Sequence, residues 1–185
     1  MKRYILIDGV NGAGKTTLFC TNHLWKSMSR INIDEMVREI GSWQDAQAVF
    51  DAGKRAIRVI DDYFRQGVSF NQETTLCGNS ILENIDRARE NGYTIELYYV
   101  GLDSAETAIQ RVACRVKDGG HGVLDDDVRR RYKVSLMRLK ELLPVFDTAE
   151  VYDNTNRLVK LAGYEKGKQV YLADDLPKWF TDTIH

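Results

Sequence analysis

Short, continuous apolar runs alternate along this sequence with longer stretches whose apolar residues return every three or four positions. Residues 3–8 form the first run, and residues 29–33, 68–72, 93–102 and 150–152 repeat the pattern, with the aromatic and β-branched run at 93–102 the strongest. Runs of this length bounded by turn residues predict buried strands. Between them, residues 15–25, a short stretch through Ile40, 43–66, a segment capped by Asn79 or Ser80 and reaching Glu90, 105–116 and 126–143 predict helices. In the longest of these, Ala46, Val49, Phe50, Ile57, Ile60 and Phe64 recur near helical spacing, and Gly67 ends it. Strands alternating with helices predict an α/β fold: a parallel five-stranded sheet flanked by helices in three layers. After Asn154 the pattern weakens. Residues 155–185 read as an irregular extension in which 159–161 and 169–172 pair across a turn near Gly163–Gly167. No linker or repeat divides the chain, so one domain is expected over 1–185.

One loop carries most of the chemistry. Gly9-Val10-Asn11-Gly12-Ala13-Gly14-Lys15-Thr16 has the spacing G-x-x-x-x-G-K-T, with a predicted strand before it and a helix opening at Thr17 after it. That context makes it a phosphate-binding loop of the P-loop (Walker A) type. The glycines let successive N–H groups turn inward, and the helix N-terminus adds the positive end of its dipole. Gly9, Asn11, Gly12, Ala13, Gly14, Lys15, Thr16 and Thr17 are thus the expected ATP-binding residues. Lys15 is to reach the β- and γ-phosphates, and the Thr16 hydroxyl is to bind Mg²⁺. In a parallel sheet ligands lie beyond the carboxyl ends of the strands. The polar residues there, besides the loop, are Asp34, Glu73 to Thr75, Asp103, and Asp153 with Asn154, the last two expected to join the loop in binding the nucleotide.

Composition narrows the field without redirecting it. The 185 residues carry 29% charged and 43% hydrophobic side chains, ordinary for a globular domain with a full core. Net charge is −1, which gives no broad basic footprint for a nucleic-acid backbone. No apolar run has the length of a membrane span, and the first residues lack the pattern of a signal peptide, so a cytoplasmic location is expected. Cys20, Cys77 and Cys114 are odd in number and unpaired in spacing, which predicts free buried thiols. His23, His121 and His185 show no metal-ligand spacing; Mg²⁺ carried with the nucleotide is the metal expected.

Phosphoryl transfer needs a cation on the transferring group and an acid to orient or deprotonate the acceptor. Asp34 follows the second strand and is the first candidate for general base; capping the helix at Glu35 is the competing role. Glu73 ends the third strand, placed for metal or an acceptor hydroxyl, and Thr75 for the same substrate. Asp103-Ser104 reads foremost as a helix cap. Arg111 and Arg115 share one helix face, Gly119-Gly120-His121 makes a hinge, and Arg129, Arg130 and Arg131 return on the next helix. Two basic faces joined by a glycine turn make a helical lid over residues 111–132, closing arginines over phosphates. The competing picture is a solvated hairpin with Asp125–Asp127 neutralising the arginines. His121 either contacts phosphate or shapes the turn.

Together these segments resemble the zeta-toxin-like group of P-loop kinases. The matching pieces are Gly9–Thr17, Ile33-Asp34-Glu35, Phe70 to Leu76, Arg111 and Arg115 with Gly119-Gly120-His121, Arg130-Arg131-Tyr132, and Tyr152-Asp153-Asn154. The resemblance implies a nucleoside-monophosphate-kinase-like fold and ATP-dependent phosphorylation of a small hydroxyl-bearing molecule, in zeta toxins proper UDP-N-acetylglucosamine. It implies Asp34 as general base, Glu73 and Thr75 as substrate ligands, and Arg115 with Arg130 or Arg131 on the transferring group. An antitoxin protein becomes a conceivable partner. Val123-Leu124-Asp125 departs from the family's Pro and Glu after the Gly-Gly-His segment. The compact chain leaves little room for a large sugar-nucleotide pocket. Two other readings of the loop stay open: a nucleotide switch or ATPase acting on a protein partner, and a polynucleotide kinase.

Overall fold

The computed structural model describes residues 1–184; His185 lies outside them. In chain order the elements are β1 (Arg3–Asp8), α1 (Lys15–Thr21), α2 (His23–Lys26), β2 (Ser29–Asn32), α3 (Ile33–Ile40), α4 (Ala46–Gln66), β3 (Phe70–Glu73), α5 (Asn79–Glu90), β4 (Thr94–Gly101), α6 (Ala105–Lys117), α7 (Asp125–Leu142), a 3₁₀ turn (Leu143–Val145), β5 (Thr148–Asp153), β6 (Val159–Glu165), β7 (Lys168–Leu172) and α8 (Lys178–Ile184).

The strands form one sheet in the order β2-β3-β1-β4-β5-β6-β7. The first five are parallel, as the five apolar runs predict. The sheet then continues into β6 and β7, which are antiparallel. The chain after residue 155 is therefore regular, not an irregular extension. Its hairpin turns at Lys166-Gly167, both at positive φ. Helices cover both faces, giving two apolar cores. One joins Tyr4, Leu6, Phe64, Phe70, Ile85, Tyr99, Leu139 and Phe180; the other joins Ile5, Ile7, Leu18, Trp25, Val100 and Ala108. β1 is the middle one of the five parallel strands, with its residues 4–8 fully buried, feeding alternate side chains to both cores.

Several boundaries move for local reasons. The first predicted helix breaks at Asn22, whose side chain accepts from Leu24 N and Trp25 N and so caps a new turn. β2 runs directly into α3, and Asn32 is the cap, accepting from Glu35 N at 3.2 Å. Asp34 is not the cap. Asp45 caps α4, and Ser104 caps α6. Gly78, without a side-chain cap, precedes α5 in place of Asn79 or Ser80. The three thiols are free, but Cys20 and Cys114 are exposed and Cys77 is half-buried, so none is the fully buried thiol expected. Among the described residues no helix is long and apolar enough to cross a membrane.

Candidate active site

The loop between β1 and α1 is built around its backbone. Gly14 precedes the helix at φ 99°, a left-handed conformation that a side chain would strain. A Cβ on Gly12 would meet the Ala108 carbonyl oxygen at 2.7 Å, so the loop packs flush on the start of α6. Asn154, just past β5, donates from Nδ2 to the Ala13 carbonyl at 2.8 Å, while its own N–H is fixed by Gly101 O at 3.0 Å. Lys15 is buried, and its ammonium donates to Gly9 O at 2.8 Å and Val10 O at 3.2 Å, curling over the loop. Thr17 is exposed on α1.

Beneath the loop, Asp8 is wholly buried. Its Oδ1 accepts from Gly9 N at 2.5 Å, and Oδ2 has no partner. Burial pushes its carboxyl up to about 7, against the pull of Lys15 and the Gly9 N–H.

Glu73, at the end of β3, gathers three donors. Thr16 Oγ1 lies 3.1 Å and 3.2 Å from its two oxygens, Arg30 donates at 2.8 Å and Asn32 at 3.0 Å. Arg30 also donates to Glu35 at 2.8 Å and stacks 3.9 Å over the Phe19 ring. The structure thus joins Thr16 and Glu73, and supports them with Arg30 and Asn32, two residues the sequence reading passed over. Their signal was the period of a strand: Arg30 and Asn32 are two apart, and Asn32 is in register with Glu73. The turn after Glu73 holds Leu76 at φ 58°, a conformation costing roughly 1–2 kcal/mol for a leucine. Such strain persists where surrounding structure fixes it, and here it falls beside Thr75 and Cys77.

Across the cleft, Asp34 lies in the first turn of α3 and His121 in the α6–α7 connection, with His121 Nε2 3.4 Å from Asp34 Oδ1. Burial lowers the His121 pKa, and Arg115, Arg38 and Arg131 add to that against the pull of Asp34. The ring that meets Asp34 at pH 7 is therefore neutral. Trp43, from the loop between α3 and α4, packs on His121 with ring centroids 6.1 Å apart. A side chain on Gly122 would collide with that indole.

The arginines divide. Arg131 donates to Asn11 Oδ1 at 3.0 Å, tying α7 to the loop. Arg130 pairs with Asp127 at 2.8 Å and still lines the cleft. Arg129 is held on the surface by Glu106 and Asp126. Arg111 donates to Thr155 O at 2.8 Å. Arg115 packs along Gly120, and its Nε and Nη2 are buried without a protein partner. Asp153 is engaged with Thr155 and with Trp179 Nε1, the latter at 2.8 Å.

Lys15, Asn11, Asp34, Glu73, Thr75, His121, Arg130 and Arg131 all border one cleft of about 820 Å³. This volume is in the upper range of small-molecule sites, and it takes in both the phosphate end at Lys15 and the region around Asp34. Thr16 and Glu73 offer hard oxygen donors of the kind Mg²⁺ takes alongside phosphate and water. Among the described residues no three His, Cys, Asp or Glu converge on a point, so such an ion would complete its shell from nucleotide and solvent.

A strand–glycine-loop–helix on the central strand of a five-stranded parallel sheet, with its cleft beyond the strands' carboxyl ends, defines the P-loop kinase-like fold. The chain superposes over its full length on a chain of the AvrRxo1-ORF1:-ORF2 complex solved with ATP, with a TM-score of 0.77 at 15% identity, and spans 64% of that chain. It also matches a chain of the PezAT chromosomal toxin–antitoxin system of Streptococcus pneumoniae, with a TM-score of 0.62 at 16% identity over 94% of this chain and 75% of that one. The fold is that of the zeta-toxin-like kinases. No family profile matches the sequence. An uncharacterized protein of Haemophilus influenzae is 36% identical over 128 residues, which are 69% of this chain and 91% of that protein. The chain belongs to the family of that protein.

Proposed function

We propose that this chain is an ATP-dependent kinase that transfers the γ-phosphate to the hydroxyl of a small molecule. The observation that carries the proposal is the placement of Asp34. Freed from capping by Asn32, its carboxylate faces the cleft that Lys15 also borders. The loop N–H groups and Lys15 hold the nucleotide phosphates. The acceptor oxygen attacks the γ-phosphorus, its proton passes to an Asp34 oxygen, and the bond to the bridging oxygen breaks to release ADP. His121 Nε2 stands 3.4 Å from one Asp34 oxygen, leaving the second oxygen for the acceptor. Arg131 and Arg130 face the same space, so developing charge would meet cations already in position, and Arg115, which does not line the cleft, would join them only if the α6–α7 connection moved. Thr16 and Glu73 would hold Mg²⁺, whose contribution is neutralising the β- and γ-oxygens. Thr75 stands as a ligand to the acceptor. The α6–α7 connection, residues 118–124, is the segment whose closure would complete the site, since it carries His121 beside Asp34 and Gly122 against Trp43.

A protein partner of antitoxin type is part of the proposal. Its ground is the likeness to chains captured in the PezAT and AvrRxo1-ORF1:-ORF2 complexes.

The test is γ-phosphate transfer from labelled ATP to a panel of alcohols. Asp34→Asn should lower the rate about 10²–10⁴-fold, the range of a general base, with ATP affinity kept. Lys15→Ala should abolish transfer. Unchanged turnover in Asp34→Asn would reduce that residue to a structural role.

A further inference from the structure

His121 reaches Asp34 from a glycine-rich segment. Gly119, Gly120 and Gly122 surround it, and Gly119 stands at φ 81° with open space where a side chain would be. Glycine loses more conformational freedom on being fixed than any other residue, so the ring's position needs an external hold. The first half of the segment is tied to α6: Gly119 N donates to Val116 O at 2.9 Å and Gly120 N to Arg115 O at 2.8 Å. Beyond Gly120, among the described residues, the polar contact from 121–123 to the body of the protein is His121 Nε2 to Asp34 Oδ1 at 3.4 Å. That is longer than a well-formed N–H···O bond. The other ring nitrogen, Nδ1, is buried without a protein partner. Hydrogen bonding alone therefore does not orient this imidazole.

Packing supplies what hydrogen bonding does not. Trp43, in the loop between α3 and α4, packs on the first core. Its loop is held in turn: Asp45 N donates to Ser42 O at 3.0 Å, Gln44 N to Ser42 Oγ at 3.2 Å, and Asp45 Oδ1 accepts from Gln47 N at 2.9 Å. From this base the indole meets two consecutive residues of the connection. It fills the space beside Gly122, where a Cβ would stand 2.4 Å from its Cζ2. It also lies against the His121 ring, tilted by 52° with centroids 6.1 Å apart. Gly122 is buried, and Val123 continues the packing into the second core. The missing side chain at 122 is thus matched to an indole at 43, and the imidazole beside it meets Asp34.

Resting on the kinase reading, we propose that Trp43 is a positioning residue: the fixed seat for the α6–α7 connection, which orients His121 toward Asp34. Trp43 borders the cleft, but in this assignment it touches no reacting atom. Its effect on transfer passes through His121.

The first readout needs no substrate. Proton NMR follows the His121 Hε1 resonance of the full chain through a pH titration, with His121→Ala assigning the signal. Around the ring stand Asp34 and Arg38 of α3, Arg115 of α6 and Arg131 of α7, and burial holds its titration below the ordinary 6.5. Trp43→Ala should free the ring and return the midpoint toward 6.5. Gly122→Ala, which keeps the indole and lifts the segment off it, should do the same. Trp43→Phe should keep most of the depression. Binding of a non-hydrolysable ATP analogue within about twofold of the original chain certifies each variant as folded; if Trp43→Ala fails that check, Gly122→Ala and Trp43→Phe carry the test. A midpoint that the folded variants leave unchanged overturns the proposal. The second readout is transfer from labelled ATP to whichever alcohol of the panel accepts phosphate. Trp43→Ala should lower kcat by about tenfold or more with the KM for ATP kept, and should add less than about twofold to the loss already made by His121→Ala. A full loss in that background would place Trp43 on the acceptor itself and overturn the proposal. If no alcohol accepts phosphate, the kinase reading fails, and the His121 titration still decides whether Trp43 is the seat.

Discussion

Asp8→Asn should make this protein more stable in a way that grows with pH. Asp8 is fully buried under the phosphate loop, and its folded-state pKa lies at about 7 against an ordinary 3.8. The folded state therefore binds more protons than the unfolded state between those two values. Stability contributed by the protonated carboxyl is complete below about pH 4, falls as the pH rises, and is lost once the pH passes about 7. At ~1.4 kcal/mol per pH unit, the separation sets an upper bound of roughly 4 kcal/mol, of which about 2–3 kcal/mol falls between pH 5 and pH 8. Asparagine keeps an oxygen for the Gly9 N–H and removes the charge. The amide's extra donors add a penalty of about 1–3 kcal/mol if left unpaired, but that penalty does not vary with pH. Urea unfolding of both proteins from pH 5 to pH 8 should show the stability difference moving by about 2–3 kcal/mol in favour of Asp8→Asn. For a chain of this size that is a change of roughly 4–12 °C in the Tm gap. A difference that stays flat across the range would mean Asp8 titrates normally, and the argument from burial would fail.

Two further outcomes test the site. Glu73→Gln should raise the Mg²⁺ concentration for half-maximal transfer by about 10-fold or more, since the carboxylate beside Thr16 is weakened as a metal neighbour; an unchanged Mg²⁺ titration would assign Glu73 to holding Thr16, Arg30 and Asn32 in place. Arg115→Met should lower transfer by about 10²-fold or more while leaving Tm unchanged or higher, because the guanidinium now carries two buried nitrogens without protein partners. A large drop in Tm would show that Arg115 is structural.

The parallel sheet and the loop could be read from the chain because each strand is a continuous apolar run and the loop's spacing is rigidly tied to its backbone shape. Asp34 shows where local reading stops. A carboxylate near a helix start is a good cap by propensity. Yet β2 passes into α3 without a loop, so the residue with extended φ/ψ is Asn32; only the path of the chain decides which of the two caps. The β6–β7 hairpin was half-legible: its turn was visible, but β7 is exposed at all five positions and lacks the alternation that marks a strand with one buried face. Trp43 gave no signal because it stands in a loop between two helices, and its partners, His121 and Gly122, are almost eighty residues away. Leu76 at positive φ has no sequence signature at all.

The phosphate loop also depends on a residue at the far end of the chain. Trp179 of α8 lies so close over β4 that a side chain on Gly101 would run into its ring, and its indole N–H holds Asp153. The next residue, Asn154, is the one whose amide grips the Ala13 carbonyl. This chain of contacts predicts a linkage between nucleotide binding and the docking of α8: whatever tightens one should tighten the other. A shortened chain ending before residue 178 would keep every residue of the glycine loop and lose the brace that sets its shape. Conversely, a ligand seated on the loop should slow amide exchange in α8, although the two lie at opposite ends of the sequence.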